Sequence, residues 1–203
     1  MLAKLLEQFP VTVRESEIGE LTDIPVPLRG IFESVAGATL ADGFYRFHTV
    51  ESARRGNVAS AKLIKGFEGR FSVFAFDWLG RELAVDIRDG QLDGKVICVD
   101  PGGGEYLTTD CPLSEWHDAV AGEEDPLAYP FYQEWRAANP SAGPLGYRQA
   151  IGYKVPLFLG GEDEVHNLDF CDREVYFELC TQLAHGARKL GVGETVQSIS
   201  FSG

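Results

Sequence analysis

The chain has 203 residues, 44% hydrophobic and 11% aromatic, which is enough to bury a core and too apolar for a disordered chain. Its 18 Lys and Arg against 31 Asp and Glu leave a formal net charge of −13. That is the wrong sign for a phosphate-backbone binder, so no direct nucleic-acid partner is expected. No apolar run approaches the roughly 20 residues that span a bilayer. Glu7 follows closely on Met1, so neither a membrane segment nor a secretory leader is read, and a cytoplasmic location is expected. Cys98, Cys111, Cys171 and Cys180 form no C-x-x-C pattern and read as reduced thiols used as small hydrophobes.

In chain order, Leu2, Leu5, Leu6 and Phe9 make one stripe of a short helix stopped by Pro10. A polar stretch covers residues 14–22. Ile24-Pro25-Val26-Pro27 leads into a second helix with Leu28, Ile31, Phe32 and Val35 on one face, ending near Gly37. Aromatics from Phe44 to His48 read as a strand. Phe71–Asp77 is a strong strand with apolar residues in both alternation sets, hence covered on both faces. Leu79-Gly80-Arg81 turns the chain into a strand over 83–87. Asp89-Gly90 and Asp93-Gly94 are hairpin-type turn dipeptides before a strand over 95–99. Asp100-Pro101-Gly102-Gly103-Gly104 ends it, and residues 105–109 read as one more strand.

Helices return with Ser114 as a cap for a segment reaching Val120. Leu127, Phe131 and Trp135 mark a helix that ends near Asn139-Pro140. Residues 140–146 are a Pro/Gly/Ser loop, and 153–159 read as extended because of Pro156. Gly160-Gly161-Glu162-Asp163-Glu164 is a tight acidic turn. Asp172 caps a long helix with Val175, Leu179 and Leu183 as its stripe, running to Gly186 or Gly191, and 195–201 read as a strand or a tail. This order implies an α+β fold, a twisted antiparallel central sheet with flanking N- and C-terminal helices, in one domain over 1–203. Phe74, Phe76, Trp78, Tyr153, Phe158 and Leu179 are expected in the core, with Trp78 against residues 153–159.

Little in the sequence carries catalysis. The Gly-rich loop after Asp100 lacks the Lys and following helix of a phosphate loop. His48, His117, His166 and His185 show no ligand spacing, so no metal and no cofactor are expected, and isolated histidines beside acids read as surface or cap residues. No G-x-S-x-G elbow is present. Asp77 and Asp86 bracket a hairpin and could face each other as the carboxylates of a small cytosolic hydrolase, for which a histidine is the other candidate, or could simply organise turns. Two acidic clusters stand out, Glu123-Glu124-Asp125 and Glu162-Asp163-Glu164. Each is either a solvated face or a docking surface for a basic protein.

Two strings are more specific. Residues 74–81, followed by Ala84-Val85-Asp86, include Asp77, Trp78 and Gly80. Residues 152–163 contain Gly152, Tyr153, Lys154, Pro156, Gly160 and Gly161, and are trailed by Asn167-Leu168, 172–176 and Gln182-Leu183. Over about 42–184 the chain resembles the C-terminal domain family of immunity proteins against type VI secretion DNase effectors, and more distantly the SUKH superfamily. The resemblance implies a SUKH-like fold and a non-enzymatic protein that binds and neutralises a toxin, a secreted nuclease effector, and the net charge of −13 adds the expectation that this partner is basic. It supplies no catalytic residues, and an interaction or regulatory module on the same scaffold is the other non-enzymatic reading.

Overall fold

Short strand-forming segments recur along the first half of the chain, and over residues 71–112 the turns between them are too short for crossovers. In a computed structural model, which describes residues 2–88 and 93–188, they assemble in chain order. Seven strands form one antiparallel sheet: β1 (Val11–Arg14), β2 (Ala38–Leu40), β3 (Tyr45–Phe47), β4 (Phe71–Asp77), β5 (Glu82–Asp86), β6 (Lys95–Asp100) and β7 (Glu105–Pro112). Every residue of β4 is buried, as its apolar content in both alternation sets implies. A separate antiparallel pair, β8 (Gln149–Tyr153) and β9 (Leu168–Asp172), joins the large sheet through the Ile151 amide, which donates to the Trp78 carbonyl at 2.8 Å.

The described helices are α1 (Ala3–Gln8), α2 (Arg29–Val35), α3 (Val50–Leu63), α4 (Leu113–Val120), α5 (Tyr129–Ala138) and α6 (Arg173–Ala187). Leu28, Ile31, Phe32 and Val35 are all buried, as their spacing requires. Helix α3 packs on β4 and against α6, so the sheet is covered where the apolar strand demands it. None of the described helices is long and apolar enough to cross a membrane.

Several elements depart from the sequence reading. Helix α3 is absent from it because apolar residues are sparse and Gly56 interrupts the pattern. Its start is nonetheless encoded: the Thr49 side chain accepts from the Ser52 amide at 3.1 Å, and Ser52 Oγ accepts from the Thr49 amide at 2.9 Å. Strand β1 has four exposed residues and is defined by its non-local pairing with β2, which local patterning cannot reveal. Ser114 does not cap α4; it lies inside the helix, and Asp93 accepts from its amide at 2.8 Å and its hydroxyl at 2.7 Å. The extended reading over 153–159 gives way to a 3-10 turn at Leu157–Leu159, because Pro156 also suits a helical start.

Helix α6 is capped by Asp172, as expected, but rotated from the expected stripe. Tyr176, Phe177, Cys180, Thr181 and Ala184 face inward, Val175 and Leu179 are exposed, and Leu183 is half-buried. Burying Arg173 against Glu82 sets this rotation. Leu179 is therefore not a core residue and Phe158 is half-buried, whereas Phe74, Phe76, Trp78 and Tyr153 are buried. The Trp78 ring packs on Phe131 and Tyr132 of α5, and its indole N–H donates to the Leu127 carbonyl at 3.1 Å. Asp89-Gly90, Gly191 and residues 195–201 lie outside the described residues.

Candidate functional site

The residues of the second signature string build a clamp. Asn167, on the far side of the acidic turn, uses its whole side-chain amide. Its Oδ1 accepts from the Val155 amide at 3.0 Å, and its Nδ2 donates to the carbonyls of Val155 at 2.9 Å and Glu162 at 2.8 Å. The Lys154 amide donates to the Asn167 carbonyl at 2.7 Å. Gly160 has φ +86°, and a Cβ on Gly161 would lie 1.9 Å from the Val155 carbonyl oxygen, so both glycines are required by the closure. Gly152 is equally constrained, since its Cβ would meet the Tyr176 ring at 2.7 Å. The Tyr153 hydroxyl donates to Asp163 at 2.5 Å; burial, and then Asp163, push the phenol well above its ordinary range.

The clamp presents Glu162, Asp163 and Glu164 to solvent. His166 sits between two of them, its Nε2 3.0 Å from Glu162 and its Nδ1 3.4 Å from Glu164. Donor atoms of Glu162, Glu164 and His166 all lie within 4.8 Å of one another, near enough to share a cation, but all three are exposed and the pairing with His166 accounts for the spacing. Beside the turn runs a groove of about 890 Å³. Phe131, Glu134 and Ala138 of α5 line one side, and Lys154, Asp163, Glu164, Val165 and His166 line the other. Glu134 was missed in sequence because it belongs to neither acidic run; only the helical spacing from Phe131 could have placed it.

The other cluster divides. Glu123 and Glu124 are exposed, but Asp125 is half-buried, has φ +37° and accepts from the Tyr129 amide at 2.8 Å, so it organises the entry to α5. None of the three lines the groove.

The two carboxylates of the hairpin, Asp77 and Asp86, do not face each other. Asp77 is buried, with Oδ1 accepting from the amides of Leu79 and Arg81 and Oδ2 from the Arg81 guanidinium, around Gly80 at φ +75°. Asp86 lies at the other end of the hairpin, opposite Phe71, and pairs with Arg70 and Arg88, which hold its carboxyl below the usual range. His117 is not a surface or cap residue: it is buried among Tyr45, Phe47 and Phe74, and burial lowers its pKa to about 3. His48 is also buried, bonded to Ser52 at 2.9 Å and Glu82 at 2.7 Å. Glu82 in turn accepts from Arg173. This core network was not read from the sequence, where Glu82 and Arg173 are 91 positions apart. The thiols are free, and burial pushes Cys98 and Cys180 up to about 12 and Cys171 up to about 11.

Fold and groove together define an α+β protein with a seven-stranded antiparallel meander and an acidic groove built on a clamped turn. Residues 123–184 match the family model described as T6SS immunity protein Tdi1, C-terminal, and over that segment the chain is similar to this immunity family. The match takes in α5, the clamp and most of α6, and begins beyond the first signature string. A solved structure described as the crystal structure of Atu4351 from Agrobacterium tumefaciens is 18% identical, with a TM-score of 0.63 over 90% of this chain and 89% of that one. At that identity the likeness is one of fold. No curated protein matches.

Proposed function

We propose that this chain is a non-enzymatic immunity-type protein that binds and neutralises a toxin delivered by type VI secretion, and that the toxin is a nuclease with a basic cleft. The observation that carries the reading is the family match over residues 123–184. A nuclease must attract phosphate, so its cleft is positive, and a partner of net charge −13 is drawn to it and excludes its substrate. Glu162, Asp163 and Glu164 are the docking acids in this reading, with Glu134 across the groove; Glu123 and Glu124 add to the acidic field. The encounter takes place in the cytoplasm and needs no cofactor, nucleic acid or membrane. Because α6 packs on α3 as well as on β8 and β9, residues 1–203 are read as one immunity-type domain.

The test uses the purified chain and the effector encoded directly beside its gene. A stoichiometric complex on size exclusion, with loss of DNA cleavage as the chain is titrated in, is the expected result. Full cleavage activity at a several-fold excess of the chain, with no complex, would overturn the proposal.

A further inference from the structure

Helices α3 and α6 enclose a slot of about 290 Å³ on the flank of the sheet. Two ion pairs bridge the helices across it: Arg55 to Glu174 at 2.9 Å and Lys62 to Glu178 at 2.9 Å. Its walls are apolar, formed by Val58, Ala59 and Phe177. Its floor is charged, formed by Glu82 and Arg173, which are 1% and 3% exposed. Gly56 makes the floor reachable: a Cβ there would stand 3.0 Å from the Glu82 carboxylate. A glycine inside a helix costs about 1 kcal/mol relative to alanine, and this close approach is what it serves.

The floor is short of hydrogen-bond acceptors for its guanidinium groups. The guanidinium groups of Arg173 and Arg46 lie over the same Phe76 ring, at 4.1 and 4.7 Å from its centre. Arg173 pairs with Glu82 and, at 3.6 Å, with Glu174, while the Asp77 carboxylate is engaged by Arg81. Among the described residues, Arg46 donates to the carbonyls of Gly146, Gln149 and Asp77. Burial, and then the neighbouring Arg173, lower the Arg46 pKa to about 10. Burial also holds the His48 pKa below its ordinary value, against the opposing pull of Glu82. Arg173 Nε is buried without a protein acceptor. A buried donor without an acceptor is costly, and a charged one more so.

We propose that this slot binds a small organic carboxylate, with its apolar body between Val58, Ala59 and Phe177 and its carboxylate accepting from Arg173 Nε. The unpartnered guanidinium N–H at the floor selects an acceptor, for which a carboxylate is the stronger partner, and the apolar walls select one with a hydrocarbon body. The site shares no lining residue with the acidic groove and stands apart from the immunity reading.

The test is an amide NMR titration of the full chain with phenylacetate, benzoate and hexanoate, with acetate and phenylacetamide as controls. At least one of the three should give saturable shifts around Gly56 and Phe177 and bind about tenfold or more tightly than either control, the range of a charge-assisted hydrogen bond. Ala59→Phe, or Val58→Trp at the exposed wall, should abolish the shifts while the rest of the spectrum keeps its dispersion. Arg173→Lys keeps the charge, lacks Nε and should erase the preference for phenylacetate over phenylacetamide. Saturable shifts from none of the three carboxylates would overturn the proposal, as would equal binding of the neutral amide or binding that survives both wall-filling variants.

Discussion

Phe76 is fully buried, yet its neighbours are Arg46, Arg173, His48 and Tyr147 rather than aliphatic side chains. Both guanidinium groups rest over the ring, so removing it loses both apolar area and the surface on which the cations rest. Phe76→Ala is expected to cost about 3–5 kcal/mol in urea unfolding. His117 makes a different prediction. It is buried with one hydrogen bond, 3.3 Å from the Tyr45 hydroxyl, and its pKa falls to about 3. The unfolded chain takes up that proton near pH 6.5 and the folded chain only near 3, so the stability contributed by the neutral ring is full above pH 6.5 and is lost as pH falls below it. Between pH 7 and pH 5 this group alone removes about 2 kcal/mol of unfolding free energy. His117→Phe should flatten the pH dependence by that amount, as read by urea denaturation at the two pH values. His48, with its pKa also lowered by burial, adds a loss of the same sign in both proteins.

At the scale of elements, α6 separates what is local from what is not. Its start is written in Asp172, whose carboxylate accepts from the Glu174 and Val175 amides. Its rotation is set by Arg173 reaching Glu82 and by the Tyr176 hydroxyl accepting from the Tyr153 amide at 3.2 Å, partners no helical pattern can reveal. Val175→Lys is therefore expected to stay within about 0.5 kcal/mol of wild type, whereas Phe177→Ala should lose roughly 3–5 kcal/mol. The reverse ranking in chemical denaturation would restore the stripe first read from the sequence. The central meander was legible because β4 to β6 are apolar runs divided by turns, a signal contained in each segment. Strand β1 was not, because its four exposed residues gain definition only from β2. The acidic turn was visible as a string of residues. What holds it, the Asn167 clamp, was visible only as the far end of the signature, since each of its bonds closes across the turn.

On the scale of the whole molecule, a charge of −13 produces a field that acts before contact, and such a field governs encounter more than residence. The clamp matters here because acids on a fixed turn lose little conformational freedom when a partner arrives. Asp163 has a second role, accepting from Tyr153 at 2.5 Å, so its replacement would confound docking with folding. The informative variant is the pair Glu162→Lys and Glu164→Lys, which leaves Asp163 in place and reverses two exposed charges. Association with the cognate effector should slow by about tenfold at low salt, with dissociation and melting temperature nearly unchanged. Near 0.1 M salt the screening length is about 10 Å, so the two rates should converge as salt rises. Glu123→Lys with Glu124→Lys is the control, because these exposed acids add to the field from outside the clamped turn. If both double variants slow association equally, net charge alone steers the encounter. If only the pair on the clamped turn does, the partner is received at that groove. Unchanged association for the clamped-turn variant at low salt would remove the turn from docking altogether.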